Sequence, residues 1–141
     1  MSLFYSNKWV TGRRLVFLEA ASEFSTSSNT FTEVASKSFT ARNTDYLLDL
    51  FYQVTGSIFS LNIEIELTES INAASPVQII FQDWETPVAN LYAPFGQRIS
   101  RTYSVGDSVT FKVNIRRASG GVMNVAKIKE LRLSLEELFK L

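Results

Sequence analysis

The chain has 141 residues, 14 of them basic and 14 acidic, and contains neither histidine nor cysteine. Its balanced charge leaves no global field to gather nucleic acid or an anionic membrane surface, and no run approaches the ~20 apolar residues that a membrane helix requires. The missing residue types remove disulfides, thiolate nucleophiles, the usual zinc and copper ligands and every Ser-His or Cys-His arrangement, so neither an enzyme nor a cofactor is expected.

A chain of this length suits one domain, which hides roughly 70% of its unfolded surface. Residues 1–12 carry Phe4, Tyr5 and Trp9 without clear period and read as an N-terminal arm, leaving 13–141 as a single domain. They lack the basic, apolar and small-residue order of a secretory signal. Residues 13–20 read as a strand. Residues 22–30, rich in Ser, Thr and Asn, read as a loop, because those side chains compete with the backbone for hydrogen bonds. Residues 31–40 have strand composition, but Phe31, Val34 and Phe39 fall out of phase, which predicts a bulge or a kinked edge strand.

The strongest signal follows. Tyr46, Leu48, Leu50, Tyr52 and Val54 alternate with polar residues, as do Phe59, Leu61, Ile63, Ile65 and Leu67. Such alternation belongs to strands with one wet face. Thr55-Gly56-Ser57 between the two runs reads as a hairpin turn. After a polar loop ending at Pro76, residues 77–83 read as a strand. Residues 84–97 hold Pro87, Pro94 and Gly96 among large apolar side chains, too broken for regular pairing and too apolar for an idle loop.

Residues 98–104 are a strand candidate, 105–108 a turn, and 109–117 a strand whose Val109, Phe111, Val113 and Ile115 alternate. Ala118-Ser119-Gly120-Gly121 reads as another hairpin turn. Residues 122–138 change phase between Ile128 and Leu131, which a bulge near Lys129 or Glu130 would reconcile; the same Ile128, Leu131, Leu135 and Leu138 also fit helical spacing, so 127–141 is open to either form. The count predicts an all-β, antiparallel two-sheet sandwich, jelly-roll-like, of about eight strands with an N-terminal arm.

Few side chains point to chemistry. Glu64 and Glu66 lie two apart on one strand face, roughly 7 Å between Cα atoms, a spacing that does not exclude a glycosidase pair but is far more often that of a solvated face. Asp45, Asp49, Asp83 and Asp107 match no calcium-loop spacing. The scattered arginines form no basic stripe, so nucleic acid is not expected as a partner, nor is a membrane. Trp84, Tyr92 and Phe95 form the aromatic-rich loop; with Phe4, Tyr5 and Trp9 of the arm they are the candidate partner-binding residues, the loop aromatics being suited to an interface or to simple packing of the loop, and less to stacking on sugar.

The Ser/Thr-rich lead into Phe31-Thr32-Glu33-Val34, then Ser38-Phe39 and the strand around Tyr46, resembles a pattern of phage tail and minor virion structural proteins. Val109-Thr110-Phe111-Lys112-Val113, a glycine turn and the run from Ile128 to Glu136 are similar to its close. The resemblance implies a jelly-roll-like virion component, oligomeric and packed about a symmetry axis, with no functional residue carried over. The expectation is a non-enzymatic, capsid-decorating or tail-associated protein of a bacteriophage or similar virus, located in the virion and assembling with itself as a homotrimer and with other virion proteins. The alternative is a carbohydrate-binding or host-receptor-binding module in which Trp84 and Tyr92 stack on a glycan.

Overall fold

Side chains two apart on an extended chain share a face, so each alternating run must bury its apolar row against another layer. The computed structural model describes residues 9–140. Its strands are β1 (Trp9–Ala20), β2 (Phe24–Thr26), β3 (Thr32–Thr40), β4 (Asp45–Gly56), β5 (Asn62–Ile71), β6 (Val77–Glu85), β7 (Ala93–Thr102), β8 (Ser108–Arg117) and β9 (Ala126–Lys140). One sheet has the order β1-β9-β4-β7, with β2 continuing beyond β1 along the same edge of β9; the other has the order β3-β8-β5-β6. All pairs are antiparallel. With β2 set aside, this is the order of a jelly roll, in which nearly every connection passes from one sheet to the other.

The alternating rows meet between the sheets. Tyr46, Leu48, Leu50, Tyr52 and Val54 from β4 face Leu61, Ile63, Ile65 and Leu67 at and along β5, together with Val109, Phe111, Val113 and Ile115 of β8, all buried. Each such side chain contributes about 1.5–3 kcal/mol relative to exposure. Phe17, Phe39, Tyr46, Tyr103 and Phe111 add a ring cluster with centroids 5.6–6.2 Å apart. The sheets are also fastened by charge: Glu69 of β5, nearly enclosed, accepts hydrogen bonds from the Arg101 guanidinium of β7 and from the Tyr103 hydroxyl at 2.5 Å.

Several expectations need correction. Thr55-Gly56-Ser57 does not close a hairpin, because β4 and β5 lie in different sheets; β4 already has β9 and β7 on its two edges. Residues 118–121 likewise link β8 to β9 across the sandwich. Of consecutive strands, β5 and β6 pair with each other. Residues 84–97 are more regular than their prolines predict: β6 runs to Glu85 and β7 begins at Ala93. Pro94 and Gly96 are accommodated because β7 is an edge strand, where one row of backbone donors is not needed for pairing. The loop over 22–30 contains the short strand β2. Residues 126–140 are strand, not helix, and β1 begins at Trp9, inside the segment read as an arm.

Candidate functional site

Because β9, β4 and β7 of one sheet and their chain neighbours β8, β5 and β6 of the other stand in corresponding places, the connections between them form a row. At the end where β4 finishes, residues 118–125 join β8 to β9, residues 57–61 join β4 to β5, and residues 86–92 join β6 to β7. The three lie side by side in that order, since β9, β4 and β7 are neighbours above β8, β5 and β6.

Backbone hydrogen bonds lock the row. Ser57 N–H donates to Val125 O at 3.0 Å, and Val125 N–H returns a bond to Ser57 Oγ at 2.8 Å. On the other side, Asn90 N–H donates to Gly56 O at 2.8 Å, Ser60 N–H to Thr86 O at 2.7 Å, and Thr86 N–H to Leu61 O at 2.9 Å. Arg117, buried at the end of β8, donates to Ser27 O at 2.6 Å and Gly120 O at 2.8 Å, drawing the first long connection onto the same end. With their polar backbone groups paired to one another, these loops turn apolar side chains outward: Ile58 and Phe59 from the middle loop, Val88 and Leu91 from one side, Val122 and Met123 from the other. Phe59 is 69% exposed and Met123 86%. Loops usually carry polar residues there, so a row of six apolar side chains needs a reason.

The aromatic residues singled out in the sequence are distributed differently. Trp84 stands opposite Ile63 on β6, half-buried against the core, and Phe95 on β7 stacks on Tyr52 with ring centroids 4.9 Å apart. Tyr92 lies near Lys129, whose Nζ sits 4.1 Å from the ring centroid, and its hydroxyl donates to the Glu23 carboxylate. Burial, then the neighbouring Glu23, pushes the Tyr92 phenol up. The structure thus turns Trp84 and Phe95 toward the interior and ties Tyr92 to the first connection. Phe4 and Tyr5 lie outside the described residues, as does the side chain of Trp9.

The carboxylates are held in separate pairings. Glu64 accepts from Arg116, and Glu66 from Gln78 at 2.9 Å and Asn114 at 2.8 Å. Asp49 pairs with Arg98, while Asp107 caps Ser104 N–H at 2.9 Å. Among the described residues no group of three or more acidic side chains converges on a metal-sized space. Of residues 84–97, too apolar for an idle loop, Val88 and Leu91 belong to the exposed row. Ile58, Phe59, Val122 and Met123 were missed; the signal available was apolar side chains directly beside turn residues.

No family model matches the chain, and no curated protein matches it. Solved structures do. A chain in the structure of infectious bursal disease virus Gt strain is 9% identical with a TM-score of 0.57, over 92% of this chain and 33% of that one. The Gx strain of the same virus gives 13% identity and a TM-score of 0.50, over 93% and 37%. The EclA C-terminal domain, a sugar-binding protein, gives 16% identity and a TM-score of 0.48, over 81% and 78%. The chain spans about a third of the length of the viral chains it matches. At these identities the viral likeness bears on the fold alone, and it agrees with the jelly-roll order of the strands.

Proposed function

We propose that this chain is a non-enzymatic virion structural protein of a bacteriophage or similar virus, capsid-decorating or tail-associated, which works by assembling with copies of itself into a homotrimer. The observation that carries this reading is the row of Ile58, Phe59, Val88, Leu91, Val122 and Met123, presented on hydrogen-bonded loops at one end of a jelly roll. Their open surface is on the order of 600 Å² of apolar area, at the top of what monomers show and most of the roughly 800 Å² per partner in an ordinary interface. A net charge of zero adds little repulsion between copies. The loops are already ordered by their own hydrogen bonds, so association costs little further backbone entropy. The likeness of this fold to a chain of a virus supports the setting.

Native mass spectrometry and sedimentation velocity over a wide concentration range test it. A trimer that dissociates when Phe59 and Met123 are both changed to Ser, with melting temperature retained, supports the reading. A wild-type chain that stays monomeric at the highest concentration overturns it.

A further inference from the structure

The outer face of the β1-β9-β4-β7 sheet holds a hollow of about 380 Å³, large enough for a small ligand. Its floor comes from the register. Asp49 stands between Ser134 and Arg98, and Phe51 between Arg132 and Gly96. Gly96 and the buried Ser134 are small, and the space above them is bounded by Arg14, Arg98 and Arg132.

The three guanidinium groups differ in commitment. Arg98 grips Asp49 through two bonds, at 2.6 and 3.2 Å, and the pairing raises its pKa. Arg14 donates to Ser134 Oγ at 3.4 Å and lies 3.8 Å from Glu136. Arg132 lies 5.9 Å from the centroid of the Phe51 ring; Glu19 stands opposite it across β1 and β9, yet no carboxylate among the described residues approaches it within 4.0 Å. The hollow therefore offers one cation that is not already neutralised, beside an aromatic face, a carboxylate with spare lone pairs and a flat glycine floor.

We propose that this hollow binds a sugar ring carrying a single carboxylate. Arg132 takes the carboxylate, for which its planar fork is matched, Phe51 meets the apolar face of the ring, and Asp49 accepts hydroxyl hydrogens. Polyanions are disfavoured because Asp49 lines the hollow and two of its three arginines are paired, Arg98 with Asp49 and Arg14 with Glu136. The site is distinct from the apolar loop row and does not depend on assembly.

The test is titration of the full chain with glucuronate, glucose and inorganic phosphate, followed by calorimetry and by NMR shifts. Saturable glucuronate binding is expected, at least tenfold tighter than for glucose or phosphate. Arg132→Gln, at an exposed position, should weaken it tenfold or more. Gly96→Ala should weaken it too, since the added Cβ meets nothing closer than 3.9 Å, so the fold accepts it while the floor is raised. Absence of saturable glucuronate binding, equal binding of phosphate, or full affinity in both variants would overturn the proposal.

Discussion

At Tyr52 the ring and the hydroxyl have opposite requirements. The ring is fully buried and stacked on Phe95, but the hydroxyl has no hydrogen-bond partner among the described residues. A buried donor left unpaired costs about 1–3 kcal/mol, so Tyr52→Phe should stabilise the fold by roughly 1 kcal/mol in urea unfolding. Burial also pushes the Tyr52 and Tyr103 phenols well above their ordinary value, with Glu69 adding to the effect at Tyr103. The unfolded chain releases those protons near pH ~10 while the folded chain keeps them, so stability is full below that pH and falls as pH rises beyond it. Thermal melts between pH about 8 and 11 should show the decline, with a shallower slope for Tyr52→Phe. Glu69 is the opposite case, a buried carboxylate satisfied by Arg101 of the other sheet and by Tyr103 just beyond the end of β7. Glu69→Gln should cost about 2 kcal/mol or more, because it strands a partly buried guanidinium. An unchanged urea midpoint would refute that.

At the scale of single elements, phase was informative and partnership was not. The phase change in β9 between Ile128 and Leu131 corresponds to an extra residue against β4: Phe51 faces Arg132, but Gln53 faces Lys129. Glu130 takes a positive φ of 52° there and stays exposed, while Ile128 and Leu131 both stay buried. The irregular phase of β3 likewise corresponds to a register shift between Glu33 and Ala35 on an edge strand. The two glycine-containing links were misread because a turn signal says that the chain reverses, not whether it returns to the same sheet. Gly120 belongs to such a link. Its φ is +78°, and a Cβ there would meet Asn124 at 2.5 Å and Leu61 at 2.9 Å. Gly120→Ala should therefore lower stability by about 1–3 kcal/mol, measured by thermal melt against Gly121→Ala, where nothing lies within 4 Å.

For the whole molecule, the strand order sets which loops stand together, and that decides where exposed apolar surface accumulates. Phe59 continues the alternating row of β5 in sequence, yet the strand begins at Asn62 and Phe59 is left outside. If the loop row is an interface, exchanging Phe59 and Met123 for Ser should shift the sedimentation coefficient to that of a monomer while changing stability by less than about 0.5 kcal/mol, because neither side chain is buried in the single chain. A matched loss of stability would instead mean that the row packs within the chain.

The sequence alone determined the all-β class, the inward rows of β4, β5 and β8 and the phase change between Ile128 and Leu131, though it left 127–141 open to strand or helix, because side-chain period and phase are local properties of the extended backbone. Tertiary structure alone decided that β4 and β5 face each other across the core and do not pair, that Trp84 and Phe95 turn inward, and that six apolar loop residues from three separate links form one row. The same holds for the hollow, whose residues come from four strands of one sheet, and whose floor exists because register sets Gly96 beside Phe51 and Ser134 beside Asp49. Pairing and register depend on which edges remain free once the other strands are placed, and no short window of residues contains that information.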